Sequence, residues 1–322
     1  MNIRRVLLLQ KADVLQDQAD TVQHHLERSL PEAEIVMAGR PDEVPRGANF
    51  DAVITPTLPW LVQALDRLGG YRWIHFLSAG VEKIWDMPFD KEGVVLTRSS
   101  GVHGAPMSEY ALGAMLHFAK GFDRFVEQSR EHRWERAWLD ELTGRTVMIL
   151  GMGHIGEMVA RRARAFDMRI IGVQRRPRAS EAAERVISLE EADAWLGEVD
   201  YLVVCLPFTG ATRHLVDAAF LARLPAHAVL IDISRGGVVD DGAVVAALDA
   251  GRLRGAALDV FEEQPLPPES PLWARPDVLL TPHVSGTSPH YMERALEVFA
   301  RNARALQAGE PPVTPVDPEA GY

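Results

Sequence analysis

The chain has 322 residues, of which 47% are hydrophobic and 25% are charged, and its formal net charge at pH 7 is −11. This length is too great for one average hydrophobic core and predicts two domains. The acidic balance argues against nucleic acid or an anionic membrane as a partner. The single cysteine, Cys205, excludes disulfides within the chain and favours a reducing, cytoplasmic compartment.

The pattern of apolar runs predicts alternating strands and helices along the whole chain. In the first hundred residues, strands are predicted at 4–9, 34–38, 52–55, 73–77 and 94–97, and helices at 16–30 and 59–68. A long helix follows at 106–130, then strands at 146–150, 169–173, 201–206, 229–233, 255–260 and 278–281, with helices at 155–166 and 289–307 and a proline-rich tail at 311–318. This alternation is typical of α/β proteins whose parallel sheets carry helices on both faces.

A Gly-x-Gly-x-x-Gly loop at 151–156 begins where the apolar run 146–150 ends. A helix follows it, and the run at 169–173 completes a βαβ unit, which is the context that a dinucleotide-binding loop requires. The first amides of the helix and its dipole would face a pyrophosphate. The residues expected to line that group are Gly151, Gly153, His154, Ile155 and Gly156.

The loop after the second strand of this unit decides which dinucleotide fits. It reads Gln174-Arg175-Arg176-Pro177-Arg178, without the carboxylate that an NAD site uses to bind the ribose hydroxyls. Guanidinium groups suit the extra phosphate of NADPH. The sequence therefore favours NADPH and leaves NADH possible. A solvated basic loop with no role in binding is the open alternative.

Polar residues that follow the predicted strands of such a sheet lie at its ligand-binding edge. Arg235, Asp259 and His283 each follow or end one of the last apolar runs. An arginine can hold a carboxylate through two hydrogen bonds, and a histidine can supply the proton that a carbonyl needs when hydride arrives. These residues thus predict hydride-transfer chemistry.

Several segments in the same order and spacing resemble the D-isomer-specific 2-hydroxyacid dehydrogenases, and within them the NADPH-dependent glyoxylate and hydroxypyruvate reductases. The segments are GMGHIG at 151–156, LPFTGATRHLVD at 206–217, DISRGGVVDDGAVVAAL at 232–248, GAALDVFEEQPLPPESPLW at 255–273, TPHVSG at 281–286, LSAGVEKIWD at 77–86 and SSGVHGAPMSEYALGAML at 99–116. The resemblance implies a Rossmann nucleotide domain, 101–286, inserted into a flavodoxin-like substrate domain formed by 1–100 and 287–322.

The resemblance also implies roles for individual residues. The catalytic arginine falls on Arg235, the acid/base histidine on His283 and the nicotinamide-amide contact on Asp259. The substrate carboxylate would meet the loop Ala79-Gly80-Val81 as well as Arg235. The remaining expected cofactor contacts are Leu206, Pro207, Thr212, Ile233 and Ser234.

Gln264 departs from the family pattern, because the third catalytic residue of the family is a glutamate at this place. A carboxylate beside His283 would favour the imidazolium, whereas an amide can only orient the ring. We therefore expect reduction to fade at a lower pH than in relatives with the glutamate. The neighbouring Glu262 and Glu263 could aim at most one carboxylate at the same place.

Two other functions stay open on the sequence. Formate dehydrogenases of the same superfamily pair a histidine with a glutamine, and a nucleotide-sensing binding protein such as a corepressor can share the fold without turnover. The favoured reading is a homodimeric, NADPH-preferring reductase of small 2-ketoacids. Its dimer arm would be 122–142, in which Trp138 belongs either to the interface or to the core, and no metal site is expected at His24-His25.

Overall fold

The computed structural model describes residues 1–317, apart from the side chain of Glu82. The chain divides into two compact units, one formed by Met1–His103 with the chain from Ser288 onward, the other by Gly104–Thr287. The last residue of the predicted proline-rich tail, Pro318, lies outside the described residues.

The first unit contains a five-stranded parallel sheet. Its strands are β1 (Arg5–Leu9), β2 (Glu34–Ala38), β3 (Asn49–Thr55), β4 (Gly70–Phe76) and β5 (Val95–Arg98), in the order β2-β1-β3-β4-β5. Helix α1 (Ala12–Ser29) and the short helix α2 (Leu61–Leu65) connect strands. Continuous apolar runs such as that of β1 are expected of strands buried on both faces, and residues 6–9 are fully buried. The strand order is that of flavodoxin-like folds.

The second unit begins with α3 (Gly104–Lys120) and α4 (Phe122–Arg130) and contains a seven-stranded parallel sheet. The strands are β6 (Thr146–Leu150), β7 (Arg169–Val173), β8 (Arg185–Ile187), β9 (Tyr201–Val204), β10 (Val229–Asp232), β11 (Gly255–Leu258) and β12 (Val278–Leu280). The remaining helices are α5 (His154–Arg164), α6 (Leu189–Ala192), α7 (Ala218–Leu221) and α8 (Asp241–Asp249).

The strands of this sheet lie in the order β12-β11-β10-β9-β6-β7-β8, so that consecutive strands are added on one side of β6 up to β8 and on its other side from β9 onward. Strand β6 pairs with β7 on one side and with β9 on the other. The connections that leave the carboxyl ends of β6 and β9 therefore run to opposite sides and open a crevice there. A ligand of this unit is expected in that crevice.

The C-terminal helix α9 (Tyr291–Ala308) returns to the first unit. Its Phe299 stacks on Trp73 of β4 with ring centroids 4.6 Å apart, and both side chains are fully buried. Such a pair contributes burial of large apolar area together with a favourable ring geometry. The contact fixes the last helix on the first sheet.

The structure corrects several predicted elements. The single helix predicted at 106–130 is wrong, because Gly121 adopts a left-handed conformation (φ +57°) and divides it into α3 and α4. Strand β8 was not predicted, since its run of three residues is too short to give a pattern. The strands predicted at 201–206 and 255–260 are shorter in the structure and end at Val204 and Leu258.

The arm 122–142 carries strongly exposed aromatic side chains. Trp134 is 95% exposed and Trp138 is 103% exposed. The alternative that Trp138 packs in the core is therefore wrong for this chain. Among residues 1–317, no helix is long and apolar enough to cross a bilayer.

Candidate active site

The glycine loop after β6 is shaped by two close approaches and one open space. Gly151 has φ +104°, and a Cβ on Gly156 would lie 2.2 Å from the carbonyl oxygen of Gly151, so both positions need glycine. By contrast, a Cβ on Gly153 would meet no heavy atom of the described chain within 4 Å. This open space lies where a dinucleotide pyrophosphate would approach the backbone.

Helix α5 starts at His154, directly after this loop. The first amides of a helix have no partner within the helix, and among the described residues no side chain caps this N-terminus. The amides of His154, Ile155 and Gly156 are thus suited to an anion. These residues fit a dinucleotide phosphate group, and their contact with one stays a prediction.

The arginine loop follows β7 and is anchored at both ends. The side chain of Gln174 donates to the carbonyl of Met152 at 3.2 Å, which ties this residue to the glycine loop. The hydroxyl of Ser180 lies 2.8 Å and 2.9 Å from the two carboxylate oxygens of Glu157 on α5. Between these anchors Arg175 and Arg176 are exposed, beside the glycine loop.

The loop after β9 contains Leu206, Pro207 and Thr212. The hydroxyl of Thr212 donates to the carbonyl of Pro207 at 2.7 Å and accepts from the amide of Thr209 at 2.8 Å. Thr212 therefore shapes this loop from within. Its expected place near the phosphates stays a prediction.

Cys205 comes directly after β9. Burial raises the pKa of its thiol. A thiol held in its neutral form is a poor nucleophile, which agrees with the interpretation of Cys205 as a small apolar residue.

Arg235 lies on the loop that leaves β10. The buried carboxylate of Asp232, the last residue of that strand, accepts from the amide of Ser234 at 2.9 Å and from its hydroxyl at 2.5 Å. Burial raises the pKa of Asp232 to about 7. The guanidinium of Arg235 donates to the carbonyl of Ser234 at 2.8 Å. Asp232 thus fixes the turn, containing Ile233, from which Arg235 projects.

Asp259 holds the turn that carries His283. Its side chain is fully buried and accepts from the hydroxyl of Thr281 (2.6 Å) and from the amides of Val284 (2.8 Å) and Ser285 (2.9 Å). The amide of His283 donates to the carbonyl of Asp259 at 2.9 Å. His283 has φ +55°, a strained conformation for a residue other than glycine that only such surroundings maintain. The contact with the nicotinamide amide that is expected of Asp259 stays a prediction.

Gln264 contacts the ring of His283. Its Oε1 lies 3.0 Å from Nδ1 of His283, while its Nε2 donates to the carbonyl of Phe261 at 3.0 Å. The carbonyl of Phe261 accepts from the amide nitrogen of Gln264, which leaves the amide oxygen to accept from the ring of His283. Nδ1 of the ring therefore carries the hydrogen. The other ring nitrogen, Nε2, is left to exchange a proton with a substrate.

Gly236 lets the loop of Arg235 approach the segment 261–264, which contains Gln264. A Cβ at this position would lie 1.8 Å from the carbonyl oxygen of Phe261 and 3.2 Å from Nε2 of Gln264. Only glycine permits this approach, and Arg235 is its immediate neighbour. The structure therefore brings the loops of Arg235, Gln264 and His283 together at one edge of the second sheet.

Glu262 and Glu263 do not replace the missing family glutamate. Glu262 Oε1 lies 3.1 Å from Nε2 of His214 and accepts from the amide of Asp241 at 3.3 Å. Glu263 is exposed, and within residues 1–317 no contact of either carboxylate with His283 is present. The cluster of His214, Asp241 and Glu262 was not anticipated from the sequence, since its members lie far apart along the chain.

The predicted carboxylate loop, Ala79-Gly80-Val81, follows β4 in the first unit. The carbonyl oxygens just before and within it are held by hydrogen bonds from the same unit. Those of residues 77, 78 and 79 accept from the hydroxyl of Tyr291, the amide of Ser99 (3.2 Å) and the guanidinium of Arg98 (2.7 Å), respectively. The main chain is thus fixed where it enters Gly80. Its role in substrate binding stays a prediction.

Comparison with known proteins identifies the family. A model of the NAD-binding domain of the D-isomer specific 2-hydroxyacid dehydrogenases matches residues 112–285, more than half of the chain and all within the second unit. The chain belongs to this family and is an oxidoreductase that uses a nicotinamide cofactor. The resemblance drawn from the sequence motifs and the predicted fold class are both confirmed.

Individual relatives are similar over most of the chain. A glyoxylate reductase of Korarchaeum cryptofilum is 35% identical over 289 residues, which cover 86% of this chain and 85% of that protein. The crystal structure of an NADPH-dependent glyoxylate/hydroxypyruvate reductase from Sinorhizobium meliloti, in complex with NADP and sulfate, has a TM-score of 0.84 at 28% identity and covers 99% of this chain and 100% of its own. A D-isomer specific 2-hydroxyacid dehydrogenase from Xanthobacter autotrophicus, in complex with NADPH and MES, has a TM-score of 0.83 at 30% identity, with full coverage of both chains (100% each).

Proposed function

We propose that this protein reduces small 2-ketoacids such as glyoxylate or hydroxypyruvate to D-2-hydroxyacids, with NADPH preferred over NADH. The observation that carries the proposal is the hydrogen bond between Gln264 and Nδ1 of His283, next to the loop of Arg235. This arrangement places a carboxylate anchor, Arg235, and an oriented proton donor, His283, at the edge of a dinucleotide-binding sheet. The relatives that act on glyoxylate support this substrate class.

The residues divide the chemistry between them. Arg235 binds the carboxylate of the ketoacid through its guanidinium and so fixes the direction of the carbonyl group. His283, protonated and held at Nδ1 by Gln264, gives the proton on Nε2 to the carbonyl oxygen. A reduced nicotinamide, when bound, would supply the hydride for the carbonyl carbon. His283 is left neutral with its hydrogen on Nδ1, which is the tautomer that Gln264 stabilises.

The preference for NADPH rests on the arginine loop. Arg175 and Arg176 are exposed beside the glycine loop, and the anchors at Gln174 and Ser180 hold the segment there. A loop fixed in this way can present two guanidinium groups to the phosphate on the adenosine ribose. The NADP and NADPH bound in the two structural relatives support the assignment.

The loop Ala79-Gly80-Val81 is proposed to bind the substrate carboxylate through main-chain amides. The hydrogen bonds that hold the carbonyl groups of residues 77–79 fix its backbone and support this role. Glycine at the centre keeps the approach free of a side chain.

A homodimer is proposed through the arm 122–142. The exposed Trp134 and Trp138, with Phe122 (54% exposed) and Val126 (51% exposed), form more apolar surface than one solvated segment normally carries. Sedimentation of the intact protein and of Trp138→Ser tests the proposal. A monomeric intact protein would overturn it.

One observation favours a second candidate, the oxidation of formate. The amide of Gln264 brings no charge to His283, and abstraction of hydride from formate needs no proton donor. Turnover assays distinguish the two functions directly. Reduction of ketoacids without formate oxidation supports the first, and formate oxidation without ketoacid reduction supports the second.

A further inference from the structure

Outside the groups assigned above, one cluster of charged side chains joins three loops of the second unit. Nε2 of His214, on the loop after β9, lies 3.1 Å from Oε1 of Glu262, on the loop after β11. The amide of Asp241, the first residue of α8, donates to the same oxygen at 3.3 Å. In return, the amide of Glu262 donates to Oδ2 of Asp241 at 3.0 Å. Glu262 is therefore held from both sides.

The loop of His214 is also hydrogen-bonded to the loop of Arg235. The amide of His214 donates to the carbonyl of Gly237 at 2.8 Å, two residues after Arg235. His214 has φ +47°, a conformation that asparagine and histidine tolerate better than most residues. The cluster thus has contacts to the loop of Thr212, to the loop of Arg235 and to the segment that ends in Gln264.

We expect the contacts of this cluster to fix the geometry of the loops while contributing little to the stability of the protein. Burial raises the pKa of Asp241 to about 6. The hydrogen bond from the Glu262 amide opposes this rise, the carboxylates of Glu262 and Asp240 add to it, and His214 acts against it. The side chains of His214 and Glu262 are 36% and 40% exposed. A side-chain contact so exposed contributes little to stability. Removal of the Glu262 carboxylate should therefore leave the protein folded.

We propose that Glu262, held by His214 and Asp241, is a positioning residue that sets the loop 261–264 so that Gln264 meets Nδ1 of His283. The inference rests on the proposed function, because the consequence it predicts is for proton transfer by His283. Gln264 lies only two residues after Glu262, and the carbonyl of Phe261, the residue before Glu262, accepts from the side-chain amide of Gln264. A shift of this short segment would move the Gln264 amide with it.

The test compares three variants of the full-length protein. Glu262→Ala removes the side-chain contacts with His214 and with the amide of Asp241, while the main-chain bond of residue 262 to Asp241 remains. Glu262→Gln keeps an oxygen in the same place without the charge, and Glu263→Ala removes the exposed neighbour as a matched control. For Glu262→Ala we expect kcat for the ketoacid to fall roughly tenfold, because a displaced catalytic group loses alignment. The KM for NADPH should stay within about twofold, and the thermal midpoint within about 2 °C. Glu262→Gln should retain most of the activity, and Glu263→Ala all of it.

A second readout does not depend on turnover. The ¹⁵N resonances of the His283 imidazole report which ring nitrogen carries the hydrogen and whether it is hydrogen-bonded. We expect the intact protein, Glu262→Gln and Glu263→Ala to share the Nδ1–H signature, and Glu262→Ala to lose it.

Equal effects of Glu262→Ala and Glu263→Ala on kcat and on the ring signature would overturn the inference. So would an equal loss in Glu262→Ala and Glu262→Gln, because charge rather than orientation would then be responsible. If the intact protein reduces no ketoacid, the proposed function fails, and the ring signature alone decides whether Glu262 positions Gln264.

Discussion

Gln264 and His283 are joined by a hydrogen bond of 3.0 Å between Oε1 and Nδ1, and Phe261 holds the opposite end of the amide. The family glutamate would place a carboxylate at this position, with a formal charge next to the ring. The amide supplies orientation alone. In the proposed function, proton transfer by His283 would depend on where Gln264 is held, and we expect its dependence on pH to differ from that of a carboxylate-paired histidine.

Replacement of Gln264 by glutamate should extend ketoacid reduction to higher pH. A carboxylate beside His283 favours the protonated ring, which is the form that donates the proton. We expect the fall of kcat/KM at the alkaline side to move upward by about one pH unit in Gln264→Glu. The pH–rate profiles of the two proteins give the measurement, with the KM for NADPH as a control for binding. Coincident profiles would contradict the assignment.

Arg235→Lys should impair substrate binding while the cofactor still binds. Lysine keeps the charge but cannot make the paired hydrogen bonds of a guanidinium with a carboxylate. We expect kcat/KM for the ketoacid to fall roughly 30-fold, which is about 2 kcal/mol, the range for a hydrogen bond to a charged group. The dissociation constant of NADPH, measured by fluorescence titration, should change less than about twofold. A variant with unchanged kcat/KM would exclude Arg235 as the carboxylate anchor.

Two glycines of the loop 151–156 should respond differently to alanine. A Cβ on Gly153 enters open space, so Gly153→Ala should keep the thermal midpoint but weaken NADPH binding roughly tenfold or more if the pyrophosphate lies there. A Cβ on Gly156 would lie 2.2 Å from the Gly151 carbonyl oxygen, so Gly156→Ala should lower the free energy of unfolding by about 2 kcal/mol. Undiminished NADPH affinity in a folded Gly153→Ala variant would place the cofactor elsewhere.

The double variant Arg175→Ala, Arg176→Ala should lose the preference for NADPH. Removal of both guanidinium groups should lower kcat/KM with NADPH roughly 30-fold and change that with NADH by less than about threefold, because NADH lacks the phosphate. The comparison is made at fixed ionic strength, since such pairs are screened by salt. Arg252→Ala, an exposed arginine on the segment before β11, is the control. Parallel losses with both cofactors would argue for general damage to the loop.

The raised pKa of Asp232 should make the free energy of unfolding depend on pH. Burial raises its pKa to about 7 from the ordinary 3.8, so the folded state holds this proton more tightly than the unfolded state. The stabilisation is complete below about pH 4 and is lost as the pH rises through about 7. Asp232→Asn cannot ionise and should match the intact protein near pH 4 but exceed its free energy of unfolding at pH 8 by at most about 4 kcal/mol.

Urea unfolding at both pH values measures this difference. Asp17→Asn, on the exposed face of α1, is the control, and its difference from the intact protein should be the same at pH 4 and pH 8. A constant difference for Asp232→Asn as well would mean that Asp232 is ionised in the folded protein at low pH.

Much of the fold could be predicted from the sequence because its central strands are buried on both faces. Residues 147–150 and 170–173 are apolar apart from Gly172, and the structure has strands at these positions. The helix break at Gly121 was missed because the residues on both sides favour helix, and only the left-handed conformation of the glycine separates α3 from α4. Strand β8 was missed because pairing with β7, not local pattern, defines it.

The candidate site was predictable where a motif defines it and not where distant residues meet. Arg235 and His283 could be named because they follow predicted strands, and Gln264 because the resemblance places it where the family has its glutamate. The close approach of Gly236 to Phe261 and the contacts of Asp259 with residues 281–285 depend on how two loops pack, which no local pattern encodes. The cluster of His214, Asp241 and Glu262 is invisible to the sequence for the same reason.

The proposed reductase activity is tested by the oxidation of NADPH and, in parallel, of NADH in the presence of glyoxylate, hydroxypyruvate, pyruvate or phenylpyruvate, with formate and NAD or NADP as the reverse assay. We expect turnover of at least one small ketoacid with a higher kcat/KM for NADPH than for NADH, and no oxidation of formate. Binding of NADPH without turnover of any ketoacid, or oxidation of formate alone, would contradict the proposal.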